Sequence, residues 1–338
     1  MIVPEISIII PLYNKSIHIA RALNSVLNQT FYNFEVIVVD DGSTDGGTKI
    51  VMDFNDPRIR LIQQKNQGAS IARNVGVQYA KANLIAFLDA DDEWTQNYIE
   101  IILKLRKRYP QAGMYTTAYQ ISTHDGKLTW PKYKYIPFRS WEGLLPNFFK
   151  SLAFGDSPVR TSLLSVPKSI FIELGGFPPG YRWAHDVDLF GKIALKYPVA
   201  FSWKLGGIYH GDAVNRLSDL KRPIDYDEPF IETARNAIIN GEVRPDFIGP
   251  LNEFIFRQET PRVARYILSG NSETARNILS QCKPKQYYYY SMKILLLLLS
   301  IIPYPVIRYS TNIKFLKIAL MELFHISPEA KYSQGLYR

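Results

Sequence analysis

Three carboxylates fall within four positions in the run LDADDEW, at Asp89, Asp91 and Asp92. Crowded together after the apolar run Leu84–Leu88, they would repel one another unless a cation lay among them. Hard oxygen ligands suit Mg2+ or Mn2+, which bind through one or two carboxylates plus phosphate oxygens and water. Such an ion can bridge a protein to a nucleotide diphosphate. The same residues can also form the acidic start of a helix over Trp94–Tyr109, with Asp91 or Asp92 as its cap. The run taken alone leaves these two readings level.

The elements that must position these carboxylates decide between them. Apolar, β-rich runs alternate with amphipathic segments: strands over Ile6–Ile10, Phe34–Val39, Ile59–Ile62 and Leu84–Leu88, and helices over Ser16–Asn28, Thr44–Phe54 and Ala69–Ala80. This alternation predicts an α/β fold, a mostly parallel sheet covered by helices on both faces. Ligands of such sheets bind beyond the carboxyl ends of the strands. Three polar clusters stand there: Tyr13-Asn14, Asp40-Asp41 and the acidic run itself. A fourth, Gln67-Gly68-Ala69, opens the helix that carries Arg73 and Asn74, and its N-terminus favours an anion. Further along, the pattern predicts a helix over Gln96–Tyr109, a hairpin around His124–Lys127, an aromatic helix near Trp141–Leu152, a turn at Gly175-Gly176, a helix over Ala184–Tyr197 and a strand over Phe201–Tyr209.

In order, the segments ISIIIPLYN (Ile6–Asn14), EVIVVDDGSTDG (Glu35–Gly46), NQGASIARNVG (Asn66–Gly76) and NLIAFLDADDEW (Asn83–Trp94) resemble family 2 glycosyltransferases of the GT-A fold. The resemblance is good from Ile6 to about Tyr109, looser to about Gly211 and nearly absent beyond. It implies an inverting transferase that moves a single sugar from a nucleotide diphosphate donor, UDP-linked, to a glycan or lipid-linked acceptor. It implies that Tyr13 stacks on the base, Asp41 hydrogen-bonds it, Arg73 lies near base or phosphate and Asp89 reaches the ribose, with Pro11 and Ala90 in the same nucleotide-sugar set. Asp91 would coordinate the metal, with Asp92 as a neighbouring ligand and His210 as the late ligand that GT-A enzymes often supply. These roles suit the side chains, since an aromatic face fits a planar base and an arginine fork fits phosphate. Ordinary alternatives stand beside them: a packed aromatic for Tyr13, an Asx-turn for Asp41 and a loop histidine for His210.

Attack by an acceptor hydroxyl needs a base. In GGFPPGYRWAHDVDLFGKIALKYP the resemblance points to Asp186, the second member of an acidic pair that opens a helix. His185 stands where Glu is usual. Asp188 is the rival base, although two positions on a helix turn it about half a revolution away. Asp156, Trp183 and His185 are expected on the acceptor side. The processive motif QxxRW is missing, which points to single additions. No GxGxxG, Walker A, GxSxG, HExxH or CxxC motif occurs, so dinucleotide, P-loop, serine hydrolase and zinc chemistries lack their markers. Two rivals remain: a catalytically silent nucleotide-sugar-binding protein of the same fold, motivated by His185, and a nucleotidyltransferase, whose glycine-rich loop PLYNKS does not provide.

The 338 residues, 46% hydrophobic and 21% charged, suit a globular chain. The sequence predicts a transferase domain over 1–220, with a nucleotide-binding half to about 110, and a helical C-terminal region over 221–338 beyond the linker-like LKRPIDYD. The predicted C-terminal helices are Ile231–Ile239, Phe247–Leu268, Glu273–Cys282 and Ile313–Phe324. The lone Cys282 and the lack of a leader-like start predict a reducing, cytoplasmic setting. Net charge is +9, and from Pro250 onward twelve Lys/Arg face five Asp/Glu. That basic stretch surrounds the greasy run Ile294–Leu299, broken later by Pro303 and Pro305, so 286–308 falls short of the ~20 residues that span a bilayer. Basic charge with grease favours an anionic membrane surface over nucleic acid, with a buried helix pair or homodimer interface as the alternative.

Overall fold

The computed structural model of the protein describes residues 3–216, 223–226 and 228–309. In chain order the elements of the first part are β1 (Ile6–Leu12), α1 (Ser16–Leu27), β2 (Phe34–Asp40), α2 (Gly47–Asp53), β3 (Ile59–Gln63), α3 (Ala69–Tyr79), β4 (Leu84–Phe87), β5 (Glu93–Trp94) and α4 (Tyr98–Arg108). They continue with β6 (Met114–Ser122), β7 (Leu128–Thr129), β8 (Glu142–Leu144), α5 (Phe148–Phe154), β9 (Ser165–Pro167), α6 (Lys168–Glu173), α7 (His185–Lys196), β10 (Val199–His210) and α8 (Pro229–Ile239). The later helices are α9 (Pro245–Leu268), α10 (Ser272–Gln281), α11 (Tyr287–Ile301) and α12 (Tyr304–Tyr309).

The main path of the sheet runs β3-β2-β1-β4-β9-β6-β10-β5, with β7 beside β6 and β8 beside β10. Pairs β1/β2, β2/β3, β1/β4 and β6/β10 are parallel, whereas β9, β5, β7 and β8 pair antiparallel. The mostly parallel α/β expectation is thus met. β1 is buried along almost its whole length, which is why ISIIIPL is a continuous apolar run and not an alternating one. Helix α1 covers the sheet through Ile19, Ala22, Leu23 and Val26, a spacing that keeps one stripe on one face. On α3, a Cβ at Gly76 would come 2.4 Å from Ile9 Cγ2, so glycine there lets the helix lie close on β1.

The chain winds outward from β1 to β3 and returns on the other side as β4. The direction of winding therefore switches between β1 and β4, and their carboxyl ends open a crevice where the polar loops gather.

Two readings of the sequence need correction. Trp141–Leu152 is not one helix but the short strand β8 followed by α5, whose cap Asn147 accepts from Lys150 N. Pro146, lacking an N–H and restricting the residue before it, separates the two. The loose region after α4 contains the long central strand β6 and the small strand β9, neither of which the sequence pattern announced. The hairpin around His124–Lys127 is present, with Ile121 opposite Thr129 and Gly126 at φ +76°.

By its contacts the chain divides into one unit of residues 1–222 with 227–244 and another of 223–226 with 245–338. Within the second unit, α10 and α11 pack on α9. Glu253, buried on α9, accepts the N–H groups of Lys285 and Gln286 at 2.6 and 2.7 Å and so caps the start of α11. One side of α11 packs inward through Tyr289, Leu296 and Leu299, while Tyr287, Tyr288, Tyr290, Ile294, Leu295, Leu298 and Ile301 are exposed. No helix among the described residues is long and apolar enough to cross a membrane. The expected helix over Ile313–Phe324 and part of the linker lie outside the described residues.

Candidate active site at the strand ends

The loops after β1 and β2 are laced together. Asn14, at φ +50°, accepts from Thr44 N at 2.9 Å and donates its own N–H to Ser43 Oγ. Asp40 accepts from Ser43 N and Thr48 Oγ1 and so shapes its own loop. Asp41 is buried, and its carboxylate gathers three donors: Gln64 Nε2 at 2.7 Å, Gln67 N at 2.9 Å and Gly68 N at 2.8 Å. It thereby fixes the start of α3. Tyr13 stands at the rim of this loop, 49% exposed. Pro11 is half-buried at the end of β1, opposite Val39.

The acidic run forms a tight turn, closed by Asp92 N donating to Asp89 O at 3.0 Å. Its three carboxylates go to three environments. Asp89 accepts from Arg73 Nη2 at 2.5 Å. Asp91 accepts from Lys15 Nζ at 2.6 Å, and Arg21 holds its backbone oxygen. Asp92, expected beside Asp91 on the metal, is buried, with its oxygens committed to the Ser162 hydroxyl and to His210 N. Burial first, then the neighbouring charges of Asp91 and Asp89, raises its pKa to about 7. Ala90 is buried between them.

On α3, Arg73 spans the crevice. One terminal nitrogen binds Asp89, and the other lies 3.1 Å from His185 Nε2. Burial and the Arg73 charge lower the His185 pKa, so the ring is neutral and Nε2 can accept from the guanidinium. Asn74 clamps the turn ahead of α7: its Nδ2 donates to Phe177 O at 2.8 Å, and its Oδ1 accepts from Phe177 N at 3.0 Å. That turn needs Gly176, at φ +67°, where a Cβ would meet Asn74 Oδ1 at 2.8 Å.

Ala184, the residue just before α7, has φ +52°, a left-handed backbone that disfavours any side chain. The strained step delivers His185 inward and leaves Asp186 half-buried at the first turn of α7. Asp188 is fully buried with Lys192 at 2.6 Å, and burial raises its pKa. Its carboxylate is thus packed inside the protein beside Lys192.

His210 closes β10 with both ring nitrogens engaged, Nε2 with Glu93 at 3.0 Å and Nδ1 with Asp212 at 3.2 Å. Burial works against its protonated form, but the Glu93 hydrogen bond and charge outweigh this and raise its pKa. Asp156 is tied to Lys132 N at 2.7 Å. Trp183, half-buried, has the Arg182 guanidinium 5.4 Å from its ring centre. Lys15 and Ser162 escaped the sequence reading. Lys15 had a signal, a cation directly after the first strand end, but Ser162 meets Asp92 only through the tertiary fold.

These carboxylates, the loops around them and a half-buried Asp186 gather at the carboxyl ends of the strands. Residues 7–159 match the family model described as glycosyl transferase family 2. That stretch belongs to the family. A Rickettsia felis protein named as an uncharacterized glycosyltransferase is 34% identical over 198 residues, covering 57% of this chain and 30% of its own length. The Escherichia coli UDP-Glc:alpha-D-GlcNAc-diphosphoundecaprenol beta-1,3-glucosyltransferase WfgD is 40% identical over 111 residues, covering 32% of this chain and 44% of its own. This chain therefore spans less than half the length of either relative. Among solved structures, S. aureus TarS 1-349 in complex with UDP-GlcNAc aligns with a TM-score of 0.60 at 18% identity, covering 87% of this chain and 89% of that one. The family 2 stretch thus lies in a GT-A fold. The family match ends at residue 159, short of Arg160, Ser162, His185, Asp186 and His210, whose placement rests on the tertiary structure.

Proposed function

We propose that the protein is an inverting, non-processive glycosyltransferase that moves one sugar from a UDP-linked donor to a hydroxyl of a glycan or lipid-linked acceptor. The observation that carries this reading is the half-buried Asp186 at the mouth of α7, joined to the acidic run through His185, Arg73 and Asp89. The names of WfgD and of the TarS complex support a UDP donor, and WfgD's name supports a diphospholipid-linked acceptor.

In this reading the acceptor oxygen attacks the anomeric carbon on the face opposite the diphosphate. The carbon–oxygen bond to the diphosphate breaks, and the hydroxyl proton passes to Asp186. Tyr13 and Asp41 receive the base, Asp41 directly or through the loop it fixes, while Arg73 holds Asp89 toward the ribose. Asp91 fits Mg2+ or Mn2+ in the mode that uses one carboxylate plus phosphate oxygens, whereas Asp92 and His210 can join only by releasing their present partners. Among the described residues no group of three His, Cys, Asp or Glu could hold a metal. When bound, the ion would neutralise charge on the departing diphosphate as a Lewis acid. Lys15 and Arg21 steady Asp91 meanwhile.

A panel of UDP-, GDP- and dTDP-sugars, tested with extracted lipid-linked acceptors and Mn2+ or Mg2+, checks the assignment. The expected result is nucleotide release with one UDP-sugar and a single sugar added to the acceptor. Asp91→Asn should lose metal-dependent donor binding. Asp186→Asn should keep donor affinity within about threefold while transfer falls by roughly 100-fold or more. Donor binding without transfer or hydrolysis on any acceptor would instead favour the silent binding protein.

The exposed face of α11 further supports attachment to a membrane surface, and with it a lipid-linked acceptor. Its tyrosines stand beside the exposed Lys283 and Lys285, and its aliphatic residues carry no charge among them, a pairing suited to an anionic lipid interface more than to a second copy of the chain.

A further inference from the structure

Arg160 lies just before a 3-10 turn at Thr161–Leu163, whose Leu163 N–H binds its carbonyl at 2.9 Å. Its side chain is held on two sides. Nε donates to the Tyr119 hydroxyl at 3.1 Å, and Tyr119 is itself fully buried and donates to Ser157 O. The guanidinium carbon stands 4.5 Å from the centre of the Tyr209 ring and 5.6 Å from that of Tyr119. Tyr209 cannot turn away freely, because its hydroxyl accepts from Arg216 Nη2 at 3.0 Å. The plane of the fork is therefore set before any ligand arrives.

Among the described residues, neither terminal nitrogen of Arg160 has a hydrogen-bond or ion-pair partner. Three neighbouring arginines differ. Arg73 is spent on Asp89 and His185, Arg21 on the Asp91 carbonyl and Arg216 on Gly211 O and Tyr209. Burial opposes the charge on Arg160, and Tyr119, Tyr209 and the more distant Asp186 support it. A half-desolvated guanidinium with its two parallel N–H pairs unused matches a carboxylate or phosphate edge on.

We propose that Arg160 receives an oxyanion carried by the acceptor, a carboxylate or a phosphate, and so orients the acceptor beside Asp186. The inference rests on the reading of Asp186 as the acceptor's base. In that reading the donor diphosphate would be met by the ion held at Asp91, since Lys15 and Arg73 are already paired with Asp91 and Asp89. Arg160 instead belongs with Asp186, whose charge reaches it, and with the aromatic wall of Tyr119 and Tyr209.

The test uses the full chain saturated with UDP and three probes: methyl β-glucuronide, methyl phosphate and the neutral methyl β-glucoside. Binding is followed by ligand-observed NMR titration of the wild type, Arg160→Gln and Arg160→Lys, with thermal melting to show that each variant is folded. At least one anionic probe should bind roughly tenfold tighter than the glucoside in the wild type. Arg160→Gln should abolish that preference, and Arg160→Lys should recover only part of it because the fork is gone. The glucuronide arm or the phosphate arm identifies the source of the oxyanion. Equal binding of charged and neutral probes by the wild type would overturn the proposal. So would a tenfold loss of UDP affinity in Arg160→Gln with the probe preference intact, which would assign the residue to the donor. Failure of the transferase reading itself would appear separately, as absence of UDP binding in the wild type.

Discussion

Nη1 of Arg73 lies 3.1 Å from Nε2 of His185, while Nη2 of the same side chain binds Asp89 at 2.5 Å. One guanidinium thus ties the first turn of α7, and with it Asp186, to the acidic run, although Arg73 and His185 stand 112 residues apart in the chain. His185 takes the place of an acid at this position without leaving Arg73 unpartnered, because a neutral imidazole accepts one hydrogen bond through Nε2.

Replacing His185 should separate this positioning role from catalysis. His185→Gln, whose amide oxygen can accept from Arg73, should retain most of the transfer rate. His185→Ala leaves a buried charged donor short of a partner and should cost about 1–3 kcal/mol of stability. Urea unfolding and initial transfer rates on both variants check this. An alanine variant as active and as stable as the glutamine one would remove the positioning role.

Asn74 makes both backbone hydrogen bonds that hold Phe177 after the Gly175-Gly176 turn. Asn74→Ala should destabilise the protein by about 1–3 kcal/mol. Its kcat should fall while the Kd for UDP stays within about threefold, since the clamp fixes the acceptor side. Calorimetric titration of UDP beside steady-state rates distinguishes this from a general loss of folding.

Asp92 gives a dependence on pH with a definite sign. Its pKa is about 7 in the folded protein, against about 4 for an unfolded carboxylate. Between those values the folded state binds the extra proton, so stability falls as pH rises through this window and levels off above it. Asp92→Asn carries no such titration. In metal-free buffer with a chelator, its stability relative to the wild type should rise by on the order of 2 kcal/mol between pH 5 and pH 8. Urea midpoints at the two pH values provide the measurement, and a constant difference would refute the buried protonated state.

The uncharged outer face of α11 should bind vesicles containing anionic phospholipid. Ile294→Glu together with Leu298→Glu, both at exposed positions, should abolish co-flotation without lowering the melting temperature appreciably. Binding should weaken in high salt if Lys283 and Lys285 contribute. Vesicle binding unchanged by the two glutamates would place the contact elsewhere, and a shift to dimers in the wild type that the glutamates abolish would assign the face to a second copy of the chain.

The N-terminal half of this sheet could be read directly from the chain. Parallel strands buried on both faces demand continuous runs such as ISIII and VIVV, and covering helices demand stripes such as Ile19, Ala22, Leu23 and Val26. Local order also marked the strand ends, so Tyr13, Asp41 and the acidic run were visible as clusters before any contact was known. Other features depend on partners distant in sequence. Trp141–Leu152 looks helical by its apolar content, but Pro146 and the pairing of β8 with β10 divide it. Neighbouring carboxylates that look equivalent in the sequence part company in space: Asp91 meets Lys15, whereas Asp92 is sealed by Ser162 and His210. The sequence by itself determined the parallel α/β sheet and the kinds of group at its mouth, because periodicity and residue type are local properties. Only the tertiary structure decided which carboxylate is shielded, why a histidine can precede Asp186 and which arginine keeps an unused fork, because burial and pairing arise only when distant segments meet.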